Sequence, residues 1–539
     1  MSTHPLNHSS PSWKRLAYTV TSVSVGTLLL LLPQIQHALP AGSHPVQAAA
    51  AKLLGPVAML LPGANDFWHT DGNRILDKQG RTVRIFGVNW SGLETKEAVP
   101  GGLEIRDYRE ILDTIKQNGY NNVRIPFSNE MVEHPTPPGH VRFSNLNGSI
   151  NTDLRDLTSL QILDRLVAYS GEIGLKVILD NHRSEAGSSA QESGLWYTTQ
   201  FPESAWIEDW TVLANRYRNT STVIGMDLRN EPHNADKGGA CWDCGGPHDW
   251  HLAAQRAGNA ILAVNPRLLI FVEGVDSYAG DTYWWGGNLE GVRRSPVHLC
   301  IPNRLVYSAH EYGPAEYAQP WFNAATSPAN LSSIWRRHWA YISESGLAPV
   351  WIGEFGTSNH DTDVVSTVPG SAGQWFTALV EFLGGHPTLG WAYWGVNGED
   401  RYGLLDALYS SQPASQLKAE ALASIRNGTH LHTFAVTLQP EPYTPAPSTS
   451  GKAATNSEIS TQILGRSAIT RPAQTSTSAL IHQKQVLAVK VQKSALHSQT
   501  AIIPGSDQVN VQPAIAASVH QAISTANRSL ANESERVKP

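Results

Sequence analysis

The chain of 539 residues holds only 3 cysteines, too few to frame a disulfide-built scaffold. It has no surplus of positive charge either: 40 Lys+Arg stand against 46 Asp+Glu, a formal net charge of -6. A nucleic-acid partner is therefore not expected, because phosphates are held by a cationic surface that displaces their counterions. Long apolar runs are scarce. The one such run, residues 16–32, follows Lys14 and Arg15 and ends in five leucines before Pro33. A basic flank, about 15 apolar residues and small residues beyond them make an export signal. Residues 1–48 are thus expected to be a signal peptide or anchor with the start of a linker, and the protein to be secreted. The alternative is a chain tethered by an uncleaved N-terminal segment, the only membrane contact expected. With no second spanning run, a polytopic membrane protein is excluded.

Aromatic residues are missing from one end. From Thr444 to Pro539 there is no Trp, Tyr or Phe. Residues 428–539 are rich in Ser, Thr, Ala, Pro and Gln, and such a segment cannot bury enough apolar surface to offset its chain entropy. A disordered tail is expected. A sugar-binding module there is disfavoured, because stacking on pyranose faces needs exposed rings.

The aromatics that are present concentrate elsewhere. Of 17 tryptophans, 16 lie between Trp68 and Trp394, and that window marks the folded domain, residues 66–427. Eight short apolar segments recur through it: Arg84–Trp90, Asn122–Phe127, Lys176–His182, Val223–Asn230, Leu268–Glu273, Arg304–Tyr312, Pro349–Glu354 and Leu389–Val396. Helical patterns such as Ile105–Asn118, Leu154–Gly174, Pro202–Tyr217, His248–Val264 and Leu331–Ser345 separate them. Near-continuous apolar strands alternating with helices imply a parallel sheet covered on its outer face. Eight units in this length predict an α/β fold, a (β/α)8 TIM barrel. A hairpin around Lys78-Gln79-Gly80 is expected to cap its N-terminal end.

Chemistry in such a barrel sits where strands run into their following loops. The strand ends here read Asn89-Trp90, Arg124, Asp180-Asn181-His182, Asn230-Glu231, Glu273, His310-Glu311-Tyr312, Glu354 and Trp394. Glu231 ends the fourth strand and Glu354 the seventh, which face each other across a barrel mouth. Two convergent carboxyls are what glycoside hydrolysis requires: one protonates the leaving oxygen and the other attacks the anomeric carbon, with a separation of about 5–5.5 Å giving retention. Asn230 is placed to bond the sugar 2-hydroxyl. Arg124 would keep Glu354 ionised, Tyr312 would bond that nucleophile, and His310 would bond the sugar or the acid. His182 is expected to bind a hydroxyl, and Asn89 to support the site. Trp394 is expected to form the floor under the sugar, with Trp285 and Trp196 as further stacking surfaces. Glu273 and Asp227 read as structural carboxylates. No metal or cofactor is called for.

Asn-Glu-Pro at 230–232, Gly-Glu-Phe-Gly at 353–356, Arg-Ile-Pro at 124–126 and His-Glu-Tyr at 310–312 resemble glycoside hydrolase family 5. The likeness is strongest to secreted bacterial endo-β-1,4-glucanases and extends over most of Phe67–Asp406. It implies Glu231 as acid/base and Glu354 as nucleophile, with Arg124, His182, Asn230, His310, Tyr312 and Trp394 around the cleaved sugar. Three positions depart from those relatives. Lys96 and Ala186 stand where a cysteine pair clamps the first and third loops, so looser loops are expected. Glu104 replaces a stacking Trp, and Val396 stands where a further Trp of the last strand is expected. The expected substrate partner is a β-glucan and the expected state a monomer. β-Mannan or xyloglucan cleavage by the same carboxyl pair, or a non-catalytic sugar-binding barrel, are the alternatives.

Cys241 and Cys244 are followed by His248 and His251, so tetrahedral zinc competes with a disulfide. An exported chain favours the disulfide, as does the resemblance, leaving Cys300 as an odd, buried thiol. Trp210, Trp335, Trp339 and Trp375 fall in helical patterns and are expected in the core. Trp90, Trp196, Trp242, Trp284, Trp285 and Trp321 fall at strand ends or in loops.

Overall fold

In a computed structural model, residues 65–235 and 238–427 are described. The expected signal segment and the expected tail lie outside them. All eight apolar segments become strands: β1 (Phe86–Asn89), β2 (Asn122–Ser128), β3 (Lys176–Arg183), β4 (Val223–Asp227), β5 (Leu269–Glu273), β6 (Leu305–Tyr312), β7 (Val350–Gly356) and β8 (Gly390–Tyr393). Each pairs in parallel with its neighbour in sequence and β8 pairs with β1, so the sheet closes into a barrel. Closure leaves no strand edge. Almost every strand residue is buried, because one face looks into the barrel and the other onto helices. That accounts for the uninterrupted apolar sequence.

The outer layer consists of α1 (Tyr108–Gln117), α2 (Ser159–Glu172), α3 (Glu203–Arg216), α4 (Trp250–Val264), α5 (Pro328–Trp335), α6 (Ala372–Gly385) and α7 (Gln416–Asn427). Several begin at a side chain that accepts a backbone N–H of the first turn: Asp107, Thr158, Asp249, Ser327 and Ser371. Such caps satisfy donors that have no partner within the helix. Past Trp335, α5 runs on through a π-helical turn, Arg336–Ala340, into Tyr341–Glu344. The connection from β5 to β6 differs from the other six. Among the described residues it holds no α-helix, only a two-stranded hairpin (Ser277–Tyr278 with Asp281–Thr282) and a 3-10 turn, Glu290–Arg293. Its sequence is dense in Gly, Asp, Asn and Pro and carries no helical period.

Inside the barrel, Ile85, Ile178, Ile224, Leu269, Phe271, Val306, Trp351 and Ala392 form a separate core with Trp68 and Ile75. The last two come from the N-terminal cap, an antiparallel sheet of His69–Asp71, Arg74–Leu76 and Thr82–Val83. The expected hairpin is present with one additional strand. Asp77 organises its turn by accepting N–H bonds from Gln79 and Arg81, both at 2.9 Å. The plug therefore fills the N-terminal end with apolar side chains and leaves the opposite end for polar ones. Trp210, Trp335, Trp339 and Trp375 are all fully buried between barrel and helices.

Trp351 fills the barrel interior against Phe271, ring centroids 5.0 Å apart. Trp351→Ala is expected to lower stability by about 3–5 kcal/mol in denaturant unfolding.

Candidate active site

At the C-terminal mouth the apolar filling gives way to a network centred on Arg124, which leaves β2 pointing inward. Its side chain is fully buried. Nη1 lies 2.6 Å from Glu354 Oε1 and 3.0 Å from Asn89 Oδ1. Nε donates to Asp227 Oδ2 at 2.9 Å, and Nη2 reaches Asp180 at 3.0 Å, Asn230 at 3.2 Å and Glu273 at 3.3 Å. One guanidinium thus gathers four carboxylates from β3, β4, β5 and β7. An unpaired charge at this depth would cost several kcal/mol. Asn89 is wholly buried and also donates to Gly353 O, so it fixes Arg124 and β7 and does not face the cleft.

Two local irregularities aim side chains at the mouth. Between β6 and β7 the register passes from Ala309↔Ile352 to His310↔Glu354 and skips Gly353. Between β2 and β3 it passes from Phe127↔Asn181 to Ser128↔Arg183 and skips His182. Bulges of this kind turn a side chain out of the regular alternation. A Cβ at 353 would sit 2.7 Å from Ser308 Oγ and 3.1 Å from His310 Nε2, so a larger residue would have to displace them. Glu231 itself has φ 49°, a left-handed conformation that L residues adopt at a cost. Its N–H donates to Glu273 Oε2 at 2.8 Å and the preceding Asn230 N–H to Asn181 O at 3.0 Å, which hold it there.

These constraints bring Glu231, His310 and Glu354 together, with an oxygen of each carboxylate and a ring nitrogen within 4.8 Å of one another. His310 Nδ1 is 3.0 Å from Glu231 Oε1 and 3.5 Å from Glu354 Oε2, while Nε2 is 3.1 Å from Glu273. Tyr312 OH donates to Glu354 Oε2 at 3.0 Å. The two carboxyls sit in unlike fields. Burial pushes Glu231 up to about 7, His310 opposing and the Glu354 charge adding to the rise. Burial would also raise Glu354, but His310, Arg124, His182 and Tyr312 outweigh it and hold that carboxyl below its ordinary range. His310 is itself raised well above an ordinary imidazole: burial opposes, and Glu273 and Glu354 prevail. The arrangement yields one carboxylic acid and one carboxylate facing each other near neutral pH.

Around this pair, His182 Nδ1 is 2.7 Å from Asp180 Oδ2 and its ring stacks on Trp394 at 5.6 Å. Burial pushes the imidazole down to about 3, so it faces the cleft neutral. Trp394 is half-buried, with Nε1 bonded to Asp400 at 3.3 Å. Trp285 is 46% exposed and stacks on His233 at 3.8 Å, on the loop beside Glu231. Trp196 does not share this role. It is fully buried behind the site among Trp206, Trp250 and Tyr197, with Nε1 on Glu203, and presents no face to a ligand. Trp90, Trp242 and Trp284 are buried as well, whereas Trp321 is partly open. The loop position suggested exposure; aromatic packing under the loop decided otherwise.

Cys241 and Cys244 are joined in a disulfide, which removes the thiolates a zinc site would use. Cys300, expected to be buried, is exposed. It lies in the irregular segment before β6, where its N–H donates to Asn259 of α4 and its side chain looks outward. The first and third loops, which lack a cysteine clamp at Lys96 and Ala186, are tied by Gly187 N–H to Glu94 O at 3.0 Å. Glu94 escaped the sequence reading. Its carboxyl is almost wholly buried, accepts the Gly92 N–H at 2.6 Å, and is pushed up to about 8 by burial. Nothing in Gly-Leu-Glu-Thr distinguishes it from a surface acid.

Arg124→Met is expected to lower stability at pH 7 by about 3–5 kcal/mol, since four buried carboxylates lose their common counter-ion. The deficit should shrink as pH falls below about 7, where Asp180, Asp227 and Glu273 take up protons, and denaturant unfolding of both proteins across pH measures it.

The family model "Cellulase (glycosyl hydrolase family 5)" matches residues 76–400. An endoglucanase of Paenibacillus polymyxa is 45% identical over 370 residues, covering 68% of this chain and 86% of the relative. The major extracellular endoglucanase of Xanthomonas campestris is 34% identical over 366 residues, covering 66% and 71%. Among solved structures, a complex of an endocellulase from Pyrococcus horikoshii with cellotetraose superposes with a TM-score of 0.60 at 36% identity, over 67% of this chain and 98% of that one. With fold, mouth and motifs in agreement, the chain belongs to glycoside hydrolase family 5.

Proposed function

We propose that this endo-β-1,4-glucanase works with retention of configuration, Glu354 being the nucleophile and Glu231 the acid/base. The observation that carries the assignment is the approach of a Glu231 oxygen to a Glu354 oxygen within 4.8 Å. That gap suits direct attack and is too narrow for the intervening water of an inverting enzyme. Glu354, ionised, attacks C1 while Glu231 gives its proton to the glycosidic oxygen, and the C1–O bond breaks. Esterification removes the charge on Glu354 that helped to raise Glu231, so Glu231, having given up its proton, stays ionised near neutral pH and can act as the base of the next step. It takes a proton from water, whose oxygen bonds C1 and frees Glu354.

Asn230 accepts from Arg124 through Oδ1, which leaves its amide NH2 for the sugar 2-hydroxyl. Tyr312 and Arg124 hold separate oxygens of Glu354 and orient it for attack. Trp394 and neutral His182 line the sugar on the glycone side of the bond, and Trp285 offers its face on the other. The substrate is a β-glucan chain, and no cofactor takes part. Export is supported by the basic-apolar pattern of residues 14–32 and by the extracellular relative. No helix among the described residues is long and apolar enough to cross a membrane.

On carboxymethyl cellulose, Glu231→Ala is expected to lose about 10²–10⁴-fold in rate. It should still be glycosylated by an aryl glycoside with a good leaving group; Glu354→Ala should cleave neither substrate. Normal activity in Glu354→Ala would sink the mechanism. The pH profile of kcat/KM follows from the two fields. Activity should fall as pH rises through about 7, when Glu231 loses the proton it must donate, and on the acid side only below the ordinary carboxylate range, when Glu354 gains one. Trp285→Ala should raise KM on polymer more than it lowers kcat.

A further inference from the structure

On the flank of the barrel the loop from β5 to β6 meets the π-helical turn that follows α5. Asp281 closes the small hairpin of that loop, Glu290 opens its 3-10 turn, and His338 comes from the π-helical turn. A carboxylate oxygen from each acid and a nitrogen of His338 lie within 4.8 Å of one another. We propose that Asp281, Glu290 and His338 form a binding site for a divalent transition-metal ion, zinc being the best match.

The imidazole supplies the decisive observation. The His338 side chain is wholly buried, and Nδ1 is 2.9 Å from Ile334 O. Nδ1 therefore carries the hydrogen, and in the neutral ring Nε2 presents a lone pair. That nitrogen has no hydrogen-bond partner, yet it is aimed at Asp281 Oδ2, 3.5 Å away. The gap exceeds a normal N–H···O bond of about 2.7–3.2 Å. The two acceptors thus face each other with no donor between them, the Arg337 guanidinium reaching Asp281 Oδ2 but not Nε2. A cation between them turns that repulsion into coordination. A backbone carbonyl on the far ring nitrogen is also the usual support of a metal-bound histidine, because it fixes tautomer and ring plane.

Arg337 is the competing explanation for the two acids. Its Nη2 is 3.0 Å from Asp281 Oδ2 and its Nε is 3.8 Å from Glu290 Oε1. The guanidinium neutralises the carboxylates but leaves His338 Nε2 unsatisfied, and with its side chain 52% exposed it is free to swing into water. Two carboxylates and one imidazole suit zinc, which binds N and O donors at about 2.0–2.2 Å and keeps a fourth position for water. Calcium and magnesium prefer all-oxygen cages. Tetrahedral zinc sets its ligand atoms about 3.4 Å apart, so the acids need close by no more than about 1.4 Å. Asp281 and Glu290 keep 31% and 17% of their side chains exposed and have room for that movement.

The ion would fasten a loop that otherwise lacks a helix. Leu289 N–H already bonds His338 O at 3.0 Å, and Tyr283 stacks on the His338 ring at 3.9 Å and on Trp321 at 5.4 Å. Trp284 and Trp285 follow directly. The site is therefore a clip on the segment that leads into Trp284 and Trp285, and it shares no residue with the carboxyl pair.

The test uses the full chain stripped with EDTA and titrated with zinc chloride against a chromogenic chelator, with thermal unfolding followed in parallel. One equivalent should bind and raise the unfolding midpoint, while equal calcium or magnesium leaves it unchanged. Glu290→Gln, at a part-exposed carboxylate, and Asp281→Asn should each weaken binding by at least about tenfold. His338→Gln should abolish it. Arg337→Met should tighten binding, and zinc should restore the stability that this variant loses. No bound equivalent, an equivalent that survives in Glu290→Gln and Asp281→Asn at wild-type affinity, or an Arg337→Met protein that zinc does not stabilise would each overturn the site. An equal response to calcium would overturn the donor assignment.

Discussion

Arg124 is the constraint on which the mouth of this barrel depends. A single buried cation holds carboxylates contributed by four different strands. The network has no margin for rearrangement, because each acid left without its share of that charge would be a buried, unpaired ion. Rigidity at the mouth follows from this electrostatic necessity. It fixes Glu354 and Asn230 through one side-chain oxygen each.

The same network separates Glu231 and Glu354 in acidity. Glu354 has Arg124, His310 and Tyr312 around its oxygens, whereas Glu231 has only His310 against its burial and the charge of its partner. Glu273 links the two halves. It holds the Glu231 backbone in its left-handed turn with one oxygen and touches Arg124 and His310 with the other. One shared carboxylate thereby ties the position of Glu231 to the two cations beside Glu354.

Legibility in the sequence was uneven. All eight strands could be read, since a strand buried on both faces is apolar along its whole length and stands out from its loops. Glu231, Glu354, Arg124, His310 and Tyr312 stood out as polar residues ending apolar strands. The missing helix between β5 and β6 shows the other side: turn residues announce that no helix forms, but not which irregular path replaces it. Trp196 and Trp285 illustrate the limit most directly. Both lie in loops, and only one faces solvent, because burial of a loop aromatic depends on what packs beneath it.

The sequence by itself determined the barrel, its cap and the residue types at its mouth, because periodicity and strand-end chemistry are properties of short segments. Tertiary structure decided which of those residues meet. The bulge past Gly353, the left-handed turn at Glu231, the exposed Cys300 and the buried Glu94 depend on atoms brought from distant parts of the chain. So does the lone pair of His338 facing Asp281, 57 positions earlier in the chain. Local preferences are carried along the chain, whereas distances between side chains and the dielectric around them exist only once the barrel has closed.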